Sequence, residues 1–133
     1  MSQRRRPARL LAMLALLVVG SGNGLTAQSI GNKAVAHIDK NTKNCLHCPS
    51  VDLLLSSAAI LKDFAKIVVI MTGMGSDGVS GLKHLKKTDE VKAIAESQET
   101  CVVFGMPKAA ISTGLIDEVR TVENIADTIM KYL

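Results

Sequence analysis

At 133 residues and 47% hydrophobic content, the chain has enough apolar side chain to fill one compact core and too little for two. Aromatic residues make up 2%, with no Trp, one Tyr and two Phe, so Val, Ile, Leu, Ala and Met must build that core and base stacking on aromatic rings is nearly excluded. The formal charge is +4, and Arg4, Arg5, Arg6 and Arg9 alone supply as much at the N-terminus. The rest is close to neutral, which argues against a phosphate-binding face and against nucleic acid as a partner.

From the N-terminus, a basic start (Arg4 to Arg9), an apolar run (Leu10 to Val19) and a small-residue tail ending at Ala27 are the parts of a secretory signal peptide. The run is too short for a stable membrane span. Residues 1–27 are therefore expected to be signal-like or disordered, the other reading being a buried strand at Leu14 to Val19 that enters a glycine-rich turn. Residues 28–44 are polar and read as a linker with at most a short strand at Ala34 to Ile38. Three cysteines, Cys45, Cys48 and Cys101, are too few for a disulfide framework. Cys45-Leu46-His47-Cys48 reads as loop cysteines before a helix. A redox pair activated by the helix start is the competing reading. As a metal site the group lacks a second paired cluster, so no metal and no cofactor is expected.

Pro49 and Ser50 open an apolar-periodic stretch with Asp52 in its first turn, which predicts a helix over 50–63. Ile67 to Met71 is a continuous apolar, β-branched-rich run, as expected of a strand buried on both faces. It leads into Thr72-Gly73-Met74-Gly75-Ser76-Asp77-Gly78. A helix over 79–87 and a strand at Val91 to Ala95 follow. Cys101 to Phe104 and Lys108 to Ser112 read as helical pieces broken around Gly105 and Pro107. Ile116 to Arg120 is a third, weaker strand, and a last helix starts at Thr121 with Val122, Ile125, Ile129 and Leu133 on one face. This alternation predicts an α/β fold: a partial doubly wound parallel sheet, Rossmann-like and three-layered, with helices on both faces.

In such sheets, chemistry collects at the carboxyl ends of the strands, and the loop 72–78 stands there. Taken alone, its three glycines and Asp77 fit an anion cradle, a carboxylate that orients a histidine, or a sharp turn with Asp77 as its cap.

Three strings narrow the choice: Pro49-Ser50-Val51-Asp52, then Met71 to Gly78, then Cys101-Val102-Val103-Phe104-Gly105-Met106-Pro107-Lys108. In order and spacing they resemble the CheB-type chemotaxis protein-glutamate methylesterases, with residues 45–133 similar to the C-terminal half of the catalytic domain. The resemblance implies hydrolysis of glutamate γ-methyl esters on chemoreceptors, and deamidation of glutamines there, by a Ser, His, Asp triad on a doubly wound sheet. It places the triad acid at Asp77, a candidate oxyanion donor at the Met74 amide, and a wall of the site at Val102 to Lys108. The family's serine motif, Gly-Ala-Ser-x-Gly-Gly, and its Gln-His-Met-Pro-like histidine motif are not written here. Ser21 and His37 are the nearest stand-ins and read as chance, and His47 and His84 match no catalytic motif.

The expectation is thus a catalytically incomplete methylesterase half-domain with a methyl-accepting chemoreceptor as partner, cytoplasmic by family or exported if residues 1–27 are a signal. The alternatives are a non-enzymatic receptor-binding or regulatory module, and an exported redox protein using Cys45 and Cys48. If Asp77 is an inherited triad acid without its partner, its carboxylate should be uncompensated and Asp77→Asn neutral or stabilising. If it is a turn residue, its oxygens should take the amides of its own loop.

Overall fold

A computed structural model describes residues 9–13, 24–39 and 48–133. Its described elements, in chain order, are β1 (Arg9–Met13), β2 (Gly24–Ile30), β3 (Lys33–Asp39), α1 (Val51–Ala58), β4 (Phe64–Ile70), α2 (Val79–Thr88), β5 (Val91–Glu96), α3 (Met106–Ile111), β6 (Glu118–Arg120) and α4 (Val122–Met130). Four strands form a sheet in the order β1-β4-β5-β6, with each neighbouring pair parallel.

The apolar run is buried from Ile67 to Ile70 and half-buried at Met71, because both faces of β4 are covered. Val68 and Ile70 point into a cluster with Leu55 and Ala58 of α1, Leu82 and Leu85 of α2 and Ala110 of α3. Ile67 and Val69 point the other way, with Ile94 of β5, onto Ile125 of α4. Alternate side chains of one strand thus serve two helical layers. The expected three-layer α/β arrangement is the one observed.

Two stretches differ from the sequence reading. Arg9–Met13, inside the segment expected to be signal-like or disordered, pairs with β4 from Arg9↔Phe64 to Met13↔Val68. Region 28–44, read as a linker with at most a short strand at Ala34 to Ile38, has that strand as β3, and with β2 it carries most of an antiparallel hairpin closed by Gly31 and Asn32. Gly31 has φ +58, the left-handed conformation a two-residue hairpin turn needs. The hairpin is held to α1 by the Ala27 amide donating to Ser57 Oγ at 2.7 Å, with Ala27 buried. The alternative strand Leu14 to Val19, together with Ser21, Cys45 and His47, lies outside the described residues.

Candidate active site

The loop after β4 turns at the carboxyl edge of the sheet and enters α2 through Gly78. Gly78 has φ +99, a backbone conformation that favours glycine, and a Cβ there would press on Val51 Cγ1 at 3.0 Å. The side chain one residue earlier does not serve its own loop. The half-buried Asp77 carboxylate accepts the Val51 amide at 2.8 Å, the Asp52 amide at 2.9 Å and the Ser50 hydroxyl at 3.2 Å.

Those donors are the opening of α1. The first amides of a helix have no intrahelical acceptor, and the helix dipole stabilises negative charge there. Ser50, the N-cap, accepts the Leu53 amide at 3.3 Å, so Ser50 and Asp77 divide the first turn between them. Asp52 reaches back, its Oδ1 accepting the Gly81 amide of α2 at 2.6 Å. The Asp77 carboxylate is therefore neither uncompensated nor satisfied by its own loop, and the premise for a neutral Asp77→Asn does not hold. A carboxylate offers about four acceptor positions. With three donors in place, one position is left for a further N–H, the number that orienting a histidine requires.

The other wall is the segment after β5. Gly73 forms a parallel bridge with Phe104; its amide donates to Val103 O at 3.0 Å, and its carbonyl accepts the amides of Gly105 at 3.1 Å and Met106 at 2.8 Å. Thr72 adds a side-chain link, its Oγ1 accepting the Val103 amide at 2.8 Å. A Cβ on Gly105 would come within 2.6 Å of Gly73 O, so this approach too depends on glycine. Committing these backbone groups to Gly73 and Thr72 makes 101–104 a bent segment ending in the bridge at Phe104 rather than the expected helical piece, and α3 starts only at Met106. Of the stretch Val102 to Lys108 expected as a wall, residues 103–106 are the ones bonded to the loop, and Val102 is exposed. Met74, between the two walls, is 85% exposed.

Glu96 was not singled out from sequence. It ends β5 buried, accepting the Thr72 amide at 2.9 Å and the Thr100 hydroxyl at 3.0 Å. A charge closing an apolar strand at the sheet's carboxyl edge is the signal that could have found it. Ser50, as the helix start, was legible, but not as a donor to a residue 27 positions away. His37 on β3 and His84 on α2 are exposed, and no hydrogen bond joins either to Asp77 among the described residues. Cys48, just before α1, is disulfide-bonded, and Cys101 is a free thiol. Among the described residues no group of three or more His, Cys, Asp or Glu could hold a metal ion, and no helix is long and apolar enough to cross a membrane.

Comparison with known proteins places this geometry. The family model for CheB methylesterase matches residues 11–129, a longer stretch than the 45–133 expected and one that includes most of β1 and the hairpin. A protein-glutamate methylesterase/protein-glutamine glutaminase of Bacillus subtilis is 53% identical over 69% of this chain and 26% of its own length. One from Halalkalibacterium halodurans is 46% identical over 86% of this chain and 33% of its own. The chain thus spans about a quarter to a third of these relatives. The crystal structure of the Thermotoga maritima CheB methylesterase catalytic domain superposes with a TM-score of 0.71 at 32% identity, over 84% of this chain and 59% of that one. A family match across most of the sequence, relatives well above 30% identity and a shared fold lead to one conclusion: the chain belongs to the CheB methylesterase family.

Proposed function

We propose that this chain supplies the acid-bearing half of a protein-glutamate methylesterase site, with Asp77 as the triad acid. The observation that carries the reading is the Asp77 carboxylate, in the Met-Gly-x-Asp-Gly string at the carboxyl end of β4, held by three donors at the start of α1. Held so, it would accept the ring N–H of a histidine, fix that histidine's tautomer and stabilise the imidazolium formed when a serine hydroxyl gives up its proton. The serine would attack the γ-ester carbonyl, and the Met74 amide would donate to the developing oxyanion. Methanol would leave from a methyl ester, ammonia from a glutamine amide, and water would release the glutamate. The printed names of the relatives, methylesterase and glutaminase, fit both leaving groups.

The serine and histidine would come from a segment carrying the motifs that this sequence does not write. The chain alone is catalytically incomplete in this reading, its partner is a methyl-accepting chemoreceptor, and its place is the cytoplasm, where such a receptor presents its methylated region.

The test is methanol release from methylated receptor. The chain alone should release none above the uncatalysed rate. Adding a fragment of a family member that carries the serine and histidine motifs should restore release, and Asp77→Ala should remove it again. Full release by the chain alone, abolished by Ser21→Ala, would overturn the incomplete triad.

A further inference from the structure

Beyond the triad acid, the site loop is held at a second point, by a buried carboxylate with no part in the proposed chemistry. Glu96 is 3% exposed, and among the described residues no ion pair reaches it. Burying a carboxylate without a cation is costly unless its oxygens are well bonded. Its two oxygens divide the work: Oε2 accepts the Thr72 amide and Oε1 the Thr100 hydroxyl, and Thr100 Oγ1 in turn accepts the Val122 amide at 3.0 Å at the start of α4.

The loop is thereby fixed at its two ends by different elements. Thr72 and Gly73 are tied to β5 and the wall at 103–106, while Asp77 is tied to α1. Between them stands the arch of Met74, Gly75 and Ser76, all exposed. Met74 lies two residues from the Glu96 bond and three from Asp77, so the reach of its amide is set first by the Thr72 end.

We propose that Glu96 is a positioning residue that fixes the Thr72 end of the loop and, through it, the Met74 amide at the oxyanion position. This rests on the methylesterase reading of the loop. A charge-assisted bond to a backbone amide is the means: it is stronger than a neutral one, and it holds the backbone where the reacting oxygen needs a donor. Glutamine at this position would still offer a carbonyl oxygen to Thr72. Alanine would not, and aspartate would keep the charge on an arm one methylene too short.

Backbone amide exchange on the full-length 15N-labelled chain tests the anchor without requiring activity. In Glu96→Ala and in Glu96→Asp, exchange at Thr72 and Gly73 should quicken by about 10- to 100-fold relative to amides of β4, and Glu96→Gln should largely restore it. Asp keeps the charge at the position, so one variant reports even if the alanine variant does not fold. Thr128→Ala, which removes a buried hydroxyl of α4, is the control for general destabilisation. A uniform change along the chain, or a Gln variant as fast as the Ala variant, would overturn the anchor. In the complemented methanol-release assay, Glu96→Asp should lower kcat by about 10- to 100-fold with KM held. Quickened exchange with an unchanged kcat would overturn the positioning of Met74. Absence of any release from the complemented unmodified chain, with the exchange pattern as expected, would sink the methylesterase reading and leave the anchor standing.

Discussion

Asp52 and Asp77 each cap the other's helix: Asp77, two residues before α2, accepts the first amides of α1, and Asp52, in the first turn of α1, accepts the Gly81 amide of α2. The two helix starts are locked by a pair of carboxylates that make non-local hydrogen bonds. Where Gly81 meets α1, a Cβ would stand 2.7 Å from Asp52 O and 2.8 Å from Leu55 Cβ.

This arrangement makes Asp77 structural as well as chemical. Asp77→Asn removes the charge at a helix N-terminus and turns an amide group toward amides that need acceptors. It should cost about 1 to 2 kcal/mol, in the range of a lost helix cap. Denaturant melts of the purified variant check this. An unchanged or raised midpoint would show that the α1 bonds contribute nothing and that the carboxylate is under strain.

Reciprocal capping also predicts coupling. Asp52→Ala and Asp77→Ala remove the two halves of one lock, so the double variant should lose less than the sum of the singles, by about 0.5 kcal/mol or more. Strict additivity in a double-mutant cycle would mean that the two helix starts are held independently.

Gly81→Ala should destabilise the fold by about 1 to 3 kcal/mol despite the higher helix propensity of alanine, because the neighbours its Cβ meets are backbone and a buried Cβ. Thermal unfolding is sufficient to check it. A more stable variant would show that α1 and α2 can separate freely.

Asp117 sets a pH dependence. Burial would raise its carboxyl, but the Lys86 ammonium at 2.6 Å and the Ala93 amide at 2.7 Å, with the charges of Lys86 and Lys92, hold it below the ordinary value. A depressed folded pKa means stability that is present above the unfolded value of about 3.9 and is lost as pH falls through the folded one. Asp117→Asn should therefore lower stability at pH 7 by no more than about 1 kcal/mol, since the pair is partly exposed, and the difference should shrink below about pH 4. Parallel melts at the two pH values decide it; a gap that persists unchanged in acid would assign the effect to shape rather than charge.

At Cys101, burial first and then the neighbouring Glu96 charge and hydrogen bond push the thiol above its ordinary value. Alkylation at neutral pH should be slower than that of an unstructured cysteine, and Glu96→Gln should speed it by lowering the thiol pKa. Equal rates in the two proteins would mean that Glu96 does not reach the thiol electrostatically.

What the sequence determined by itself was what depends on neighbours in the chain. The run at 67–71 read as a strand covered on both sides, Pro49-Ser50 as the opening of a helix, and the glycines of 72–78 as a turn between them, so the α/β order and the site loop were legible. The second strand of the hairpin was legible as a short strand at Ala34 to Ile38, but its partner β2 was not, and the hairpin is seated on α1 by the Ala27 bond to Ser57 and the burial of Ala27. Tertiary structure alone decided where the charges go. Asp77 and the start of α1 are more than 20 residues apart, as are Glu96 and Thr72. A hydrogen bond across that distance leaves no periodicity, because it is set by which strand ends and helix starts the sheet brings to one edge.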